Sequence, residues 1–234
     1  MKRLRSFGLV IVSGLVLSAL ASASASAENV EVLPVPTKTA PLKFTGKGGA
    51  GQIEGEVAGS ALECKEVTGK GEITSANLGV GTTVLTGCKS ALSGAKCESL
   101  PKVAAGTIEF KGDIHLVAVL LPKGEPAPEL MLGTAGSMEE LLHIECGAAL
   151  LVLAGGTVIG EATKVAASGV PTKEITGVLA ESKGVQKIKE CDLDKAFCSG
   201  KTFGLYLELG KGREKAGLAS EGTTTLEKEA AFDY

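Results

Sequence analysis

The chain has no tryptophan, two tyrosines and six phenylalanines, so aromatic side chains make up only 3% of it. Sugar sites ordinarily stack rings on aromatic faces and hydrogen-bond from their polar tips, so this scarcity argues against glycoside chemistry. Histidine is equally scarce, with His115 and His143 the two present. A serine hydrolase of the nucleophile-elbow kind needs G-x-S-x-G with a histidine and an acid, and no serine here has glycines at that spacing. The H-E-x-x-H pattern is missing, and "HIEC" (143–146) supplies the H-x-E half of a zinc-deaminase pattern without its C-x-x-C partner. Structural zinc would want paired or clustered cysteines and histidines, which the spacing does not provide. The glycines sit in β-turn contexts and not between a strand and a helix, so a phosphate cradle is excluded. No catalytic residue and no cofactor is nominated.

Aspartate is also rare: Asp113, Asp192, Asp194 and Asp233 stand against 23 glutamates. This weighs on the one stretch with the look of a metal loop, "KECDLDKAFCSGK" (189–201). Asp192 and Asp194 fall at the first and third places of a calcium loop, with Glu190 nearby. However, Ala196 follows, no glycine sits at the sixth place, and Phe203 stands where a bidentate glutamate belongs. Asp192, Asp194 and Glu190 therefore remain weak calcium candidates, and a polar turn closed by a short disulfide is the preferred reading. Glycoside cleavage needs only two carboxylates roughly 5–10 Å apart. Among 23 glutamates no particular pair stands out.

Residues 1–27 read as a secretory signal peptide. A basic start, "MKRLR", precedes an apolar run and then "ASASASA", whose small residues suit cleavage after Ala27, with Ala25 the alternative. Removing that segment leaves 21 basic against 27 acidic side chains, a net charge of −6. With no polybasic surface, nucleic acid is not an expected partner. After cleavage no apolar run is long enough for a membrane-spanning helix. Residues 28–43 read as an extended N-terminal arm, and 44–234 as a single disulfide-stapled β domain.

All six cysteines follow the signal, an even number that in an exported chain reads as a disulfide framework. Six cysteines allow 15 connectivities. Sequence proximity selects Cys88–Cys97 and Cys191–Cys198 across short hairpins, leaving Cys64–Cys146 as a long-range bridge.

What the chain has in quantity is glycine, 32 residues, spaced between short runs of alternating polarity. "TFGLYLEL" (202–209) puts Phe203, Leu205, Leu207 and Leu209 on one side of a strand; "HIEC" puts Ile144 and Cys146 inward and His143 and Glu145 outward. Turn signals every 8–15 residues suit an all-β fold, an antiparallel β-sandwich or barrel with short Gly-marked strands, better than βαβ units. Two departures are expected. Ser137 with Glu140 forms a capping-box pattern for a single helical turn near 138–143. "LPKGEPAPEL" (121–130) reads as a proline-rich surface loop.

The order "GSALECKEVTGKGEIT … TVLTGCKSALSGAKCESL … GTIEF … HIECGAALLVLAGGTVIGEATKV … GVQKIKEC … GLASEGTTTLEKEAAF" resembles a family of uncharacterised, exported Gly/Thr-rich β proteins of soil actinobacteria. The likeness covers residues 44–232 and implies no activity and no catalytic residues. "ECGAAL" departs from the double glycine usual in that family, and the Cys191–Cys198 pair looks like an addition to it. The functional expectation is a secreted, non-enzymatic, envelope-associated structural or binding protein whose partner is a cell-wall polymer or another surface protein. The alternative is a secreted polysaccharide-acting hydrolase using a glutamate pair.

Overall fold

A computed structural model of the chain describes residues 31–34, 41–57, 59–75, 78–101, 103–120, 126–132, 142–167, 169–187, 204–209 and 212–233. The expected signal peptide, the Cys191–Cys198 pair and the calcium candidates Glu190, Asp192 and Asp194 lie outside these residues, as does the capping box of Ser137 and Glu140.

The described part is all-β and antiparallel, as the alternating polarity requires. Its strands are β1 (Glu31–Pro34), β2 (Leu42–Gly55), β3 (Gly59–Cys64), β4 (Glu66–Ile73), β5 (Leu78–Thr86) and β6 (Lys89–Ser90), then β7 (Cys97–Leu100), β8 (Thr107–Leu120), β9 (Pro126–Leu132), β10 (Leu142–Cys146) and β11 (Ala149–Lys164). They continue as β12 (Thr172–Leu179), β13 (Glu181–Ser182), β14 (Val185–Gln186), β15 (Gly204–Leu209) and β16 (Gly212–Asp233). Eight of them close a ring in the order β2-β4-β5-β8-β9-β11-β12-β16, the last strand pairing back onto β2. Closure removes the sheet edges that an open antiparallel sheet would expose.

Four strands are longer than punctuation by glycine suggests: 14 residues in β2 and in β8, 16 in β11 and 22 in β16. β8 is used throughout by β5 and β9, whereas β2, β11 and β16 run on past the ring and collect further strands. There β3 pairs with β2, β6 with β3, β7 with β10, β10 with β11, and β15 bridges β11 and β16. A bridge between Lys89 and Lys96 joins β6 to the start of β7, so these strands form a second layer continuous with the ring. Gly156 marks the passage of β11 from one layer to the other. Its φ of 150° lies outside the range of L side chains, and a Cβ there would fall on the Gly204 carbonyl.

Two apolar clusters fill the ends. One contains Ile53, Leu62, Leu85, Ile108, Ile144, Val158, Leu205 and Leu207 with four cysteines; the other contains Leu42, Ile73, Leu226, Ala230 and Phe232, with Phe44, Val165 and Ile175 against it. The alternation read from sequence is observed at both places where it was specific. Ile144, Cys146, Leu205 and Leu207 are buried, while His143 is exposed and Glu145, Tyr206 and Glu208 are half-buried.

The cysteine pairing corrects the expectation from proximity. The bonds are Cys64–Cys88 and Cys97–Cys146, not Cys64–Cys146 and Cys88–Cys97. The register explains why. Leu62 faces Ser90 and Glu63 faces Lys89, which brings Cys64 opposite Cys88, while Cys146 lies directly opposite Cys97. The Cys97 amide donates to the Cys88 carbonyl at 3.1 Å, so the hairpin between them exists as expected. The four cysteines thus form one row across four adjacent strands. Bonding the middle pair would leave Cys64 and Cys146 three strand spacings apart, about 14 Å, when a disulfide needs Cα atoms within about 7 Å. Pairing outward bonds all four, at a Cα separation of 4.0 Å in each case.

Two smaller expectations also change. Leu142 and His143 belong to β10 and not to a helical turn. Pro126 and Pro128, assigned to a loop, stand in β9 opposite Leu120 and Ala118. Among the described residues β9 pairs with β11 only over Glu129–Leu132, so at both prolines the edge away from β8 carries no described ladder and can take the missing N–H. Within the arm, β1 pairs with the end of β16, Glu31 opposite Asp233, adding a strand to its own chain.

Candidate functional site

Between the two apolar clusters the eight-stranded ring encloses a cavity of about 260 Å³. Eight strands are enough to leave an interior that side chains just fill, or one that holds a small ligand. Which of these results depends on the inward-facing side chains, and here many of those are absent. Eight glycines line the cavity: Gly46, Gly48, Gly69, Gly81, Gly112, Gly160, Gly177 and Gly222.

The local sequence shows how they come together. "TGKG" occurs at 45–48 in β2 and again at 68–71 in β4, and "GVG" follows at 79–81 in β5. A strand alternates faces with a period of two, so each G-x-G puts both glycines on one face. Burial decides which face. Leu42, buried, and Phe44, half-buried, share the face of Gly46 and Gly48, while Lys43, Thr45 and Lys47 alternate with them, Lys43 and Lys47 exposed. Pairing then aligns the glycines across strands. One row runs Thr224, Gly46, Gly69, Thr83; the next runs Leu226, Phe44, Gly71, Gly81, Gly112; a third runs Gly177, Gly222, Gly48, Val67, Leu85.

The rows differ in how open they are. A Cβ at Gly46 or Gly69 would meet nothing closer than 3.8 and 3.7 Å, ordinary contact. At Gly71 the Phe44 ring already lies against the backbone, 2.5 Å from where a Cβ would sit, and at Gly81 the Ile114 Cδ1 is 2.8 Å away. Phe44 therefore covers part of the glycine wall, and the space beside Gly46 and Gly69 remains open. Glycine inside a strand costs about 0.5–1 kcal/mol each relative to alanine. Not every lining glycine holds space open: at Gly48, Gly160 and Gly222 a Cβ would come within 2.7–3.0 Å of neighbouring atoms, so the open wall is that of Gly46, Gly69 and Gly177.

The outer face is of opposite character. Lys43, Lys47, Lys70, Lys111, Asp113, Glu161 and Lys164 are all exposed on ring strands. A lipid-facing barrel would present an apolar band there. No helix among the described residues is long and apolar enough to cross a membrane.

Glutamates do come together at one place. The β13–β14 hairpin turns through Lys183 and Gly184, both at positive φ as a two-residue turn of the primed type requires. It packs against the end of β2 and is tied to β16 by Gln186, whose Oε1 accepts the Leu218 amide at 3.0 Å. Glu181 accepts the Gly184 amide at 2.9 Å and also lies beside Glu54. Partial burial, together with the charge of Glu181 and a hydrogen bond to it, holds the Glu54 carboxyl above the ordinary carboxylate range. Glu54 is thereby biased towards its protonated form. Neither glutamate lines the cavity.

Of the residues weighed from sequence, His143 lies exposed on β10 and His115 stands in β8. No three His, Cys, Asp or Glu side chains among the described residues are placed to hold a metal ion. The lumen glycines were missed, although the repeated TGKG carried their signal: its parity separates glycine from threonine and lysine, which turn glycines do not do. Comparison of the chain with family models, curated proteins and solved structures finds no match.

Proposed function

We propose that this is an exported, non-enzymatic binding protein of the cell envelope, and that its ligand is a small apolar molecule held inside the eight-stranded ring. The observation that carries this is the cavity of about 260 Å³ inside the ring, walled by glycines and by apolar side chains of both clusters. Cavities lined by apolar atoms stay dry and accept apolar guests; one of about 150 Å³ takes up benzene. Export is supported by the leader-like first 27 residues and by two disulfides, bonds that persist in oxidising compartments.

The test is to purify the oxidised protein natively from its producer, extract it with organic solvent and identify what is released. One apolar compound per chain is the expected result. An empty extract, together with failure to take up any apolar probe, sinks the reading. The envelope association is tested separately, by co-sedimentation with insoluble wall material washed at rising salt. Retention at high salt is expected, and failure to pellet removes the envelope from the proposal.

The alternative, a polysaccharide-acting hydrolase, draws on the Glu54–Glu181 pair. Release of reducing ends from wall glycans by the wild-type protein, lost in Glu54→Gln, would favour it over the binding reading.

A further inference from the structure

Resting on that reading, we infer that the ligand is an uncharged, unbranched aliphatic chain of about ten carbons bearing one hydrogen-bonding group, as in a fatty alcohol or ester. Three observations set the class. The first is shape. On β4 the lining runs from Val67 to Ile73. Six residue steps at about 3.3 Å span roughly 20 Å of strand, or about 15 Å along the axis at the usual strand tilt, while a sphere of the cavity's volume would be only about 8 Å across. The space is a narrow channel along the ring axis, suited to a chain and not to a fused ring. Scaled from the benzene cavity, its volume corresponds to about ten carbons.

The second is charge. The charged residues along the lining, Lys47, Lys70, Asp113 and Glu161, are all exposed, alternating with inward neighbours. A carboxylate or amine drawn inside would lose its hydration and find no inward-facing counter-ion among the described residues. The third is a polar mark partway along the channel. Thr224 and Thr83 flank the Gly46–Gly69 pair in one cross-strand row. A Cβ at Gly46 would sit 3.8 Å from Thr224 Oγ1, and one at Gly69 4.0 Å from Thr83 Oγ1, so both hydroxyls border the open stretch of wall. A hydroxyl donates and accepts, which fits a neutral alcohol or ester oxygen.

The experiment is calorimetric titration of the disulfide-intact protein, freed of any bound compound, with decan-1-ol, decanoate, decane and cyclodecanol at neutral pH. Decan-1-ol should bind at least about tenfold tighter than decanoate or cyclodecanol. The near-isosteric double variant Thr83→Val/Thr224→Val should bind decan-1-ol no better than decane. Gly69→Leu, with its fold checked by circular dichroism, should bind none of them. Equal binding of decanoate or cyclodecanol would overturn the ligand class while leaving an apolar lumen site in place. Undiminished decan-1-ol binding in the double valine variant would overturn the threonine anchor and with it the polar group. If the wild-type protein binds none of the four, the class and the lumen reading fall together.

Discussion

Replacing lumen glycines by alanine should change stability with opposite signs at positions two residues apart. At Gly46 and Gly69 a new methyl group would meet its nearest neighbours at 3.7–3.8 Å, so nothing has to move. Two gains then add. The unfolded chain loses about 0.4–1 kcal/mol worth of conformational freedom, and burial of one methyl contributes about 0.8 kcal/mol as an upper value. Each variant should therefore be more stable by about 1–1.5 kcal/mol, raising Tm by roughly 2–6 °C in a chain of this size. Gly71→Ala is the contrasting case. Its methyl would fall on the Val80 carbonyl oxygen and within 2.5 Å of the Phe44 ring, and the oxygen belongs to the β4–β5 ladder. Overpacking of this kind costs about 1–3 kcal/mol, so Tm should fall. Differential scanning calorimetry on oxidised, ligand-free protein measures all three. If Gly46→Ala and Gly69→Ala are as destabilising as Gly71→Ala, the lumen is not open where the geometry places the opening. If all three raise Tm, Phe44 does not cover the wall.

Two other perturbations test separate parts of the structure. Non-reducing peptide mapping should recover Cys64 linked to Cys88 and Cys97 linked to Cys146; a Cys88–Cys97 peptide would refute the four-strand row. Loop closures spanning 24 and 49 residues contribute about 3.4 and 4.1 kcal/mol in the chain-entropy account, so reduction should lower Tm by many degrees. The raised Glu54 carboxyl makes a pH prediction. Between the ordinary carboxylate pKa and its raised folded value, the folded protein keeps a proton that the unfolded chain has lost. Its stabilising contribution is therefore complete below the unfolded pKa and disappears as pH rises through the folded one. Glu54→Gln should flatten this decline when Tm is followed from mildly acid to neutral pH; an unchanged slope would mean that the fold does not raise the Glu54 carboxyl.

The class of fold was legible because it rests on local alternation. Ile144, Cys146, Leu205 and Leu207 face inward as their spacing requires, and nothing non-local could reverse that without exposing a whole strand face. The disulfides were not legible, because proximity in sequence favours the hairpin partners Cys88 and Cys97. Their bonds depend on β3 and β10 flanking that hairpin, a fact of long-range register. Pro126 and Pro128 failed for a similar reason. Proline excludes a central strand but not one with an open edge, and edges are known only once the neighbours are.

The glycines were misread for a different physical reason. Glycine in a turn and glycine in a strand look alike when each is judged alone, since both relieve a steric constraint. In this chain the turns take their own set, with Gly87, Gly94, Gly106, Gly147, Gly169 and Gly184 all at φ between 63° and 80°. The lumen-lining strand glycines are not at positive φ, and this set follows another rule. It recurs at a spacing of two, shares a face with Leu42 and Ile73, and lies opposite other glycines across the ladder. A core position given to glycine forfeits the burial that a valine or leucine there would supply, about 1.5–3 kcal/mol. Packing favours filling such positions, so several aligned in one ring hold open a volume that packing alone would close. That is why the lumen, and not the acidic pair outside its lining, is where the function of this chain should be sought.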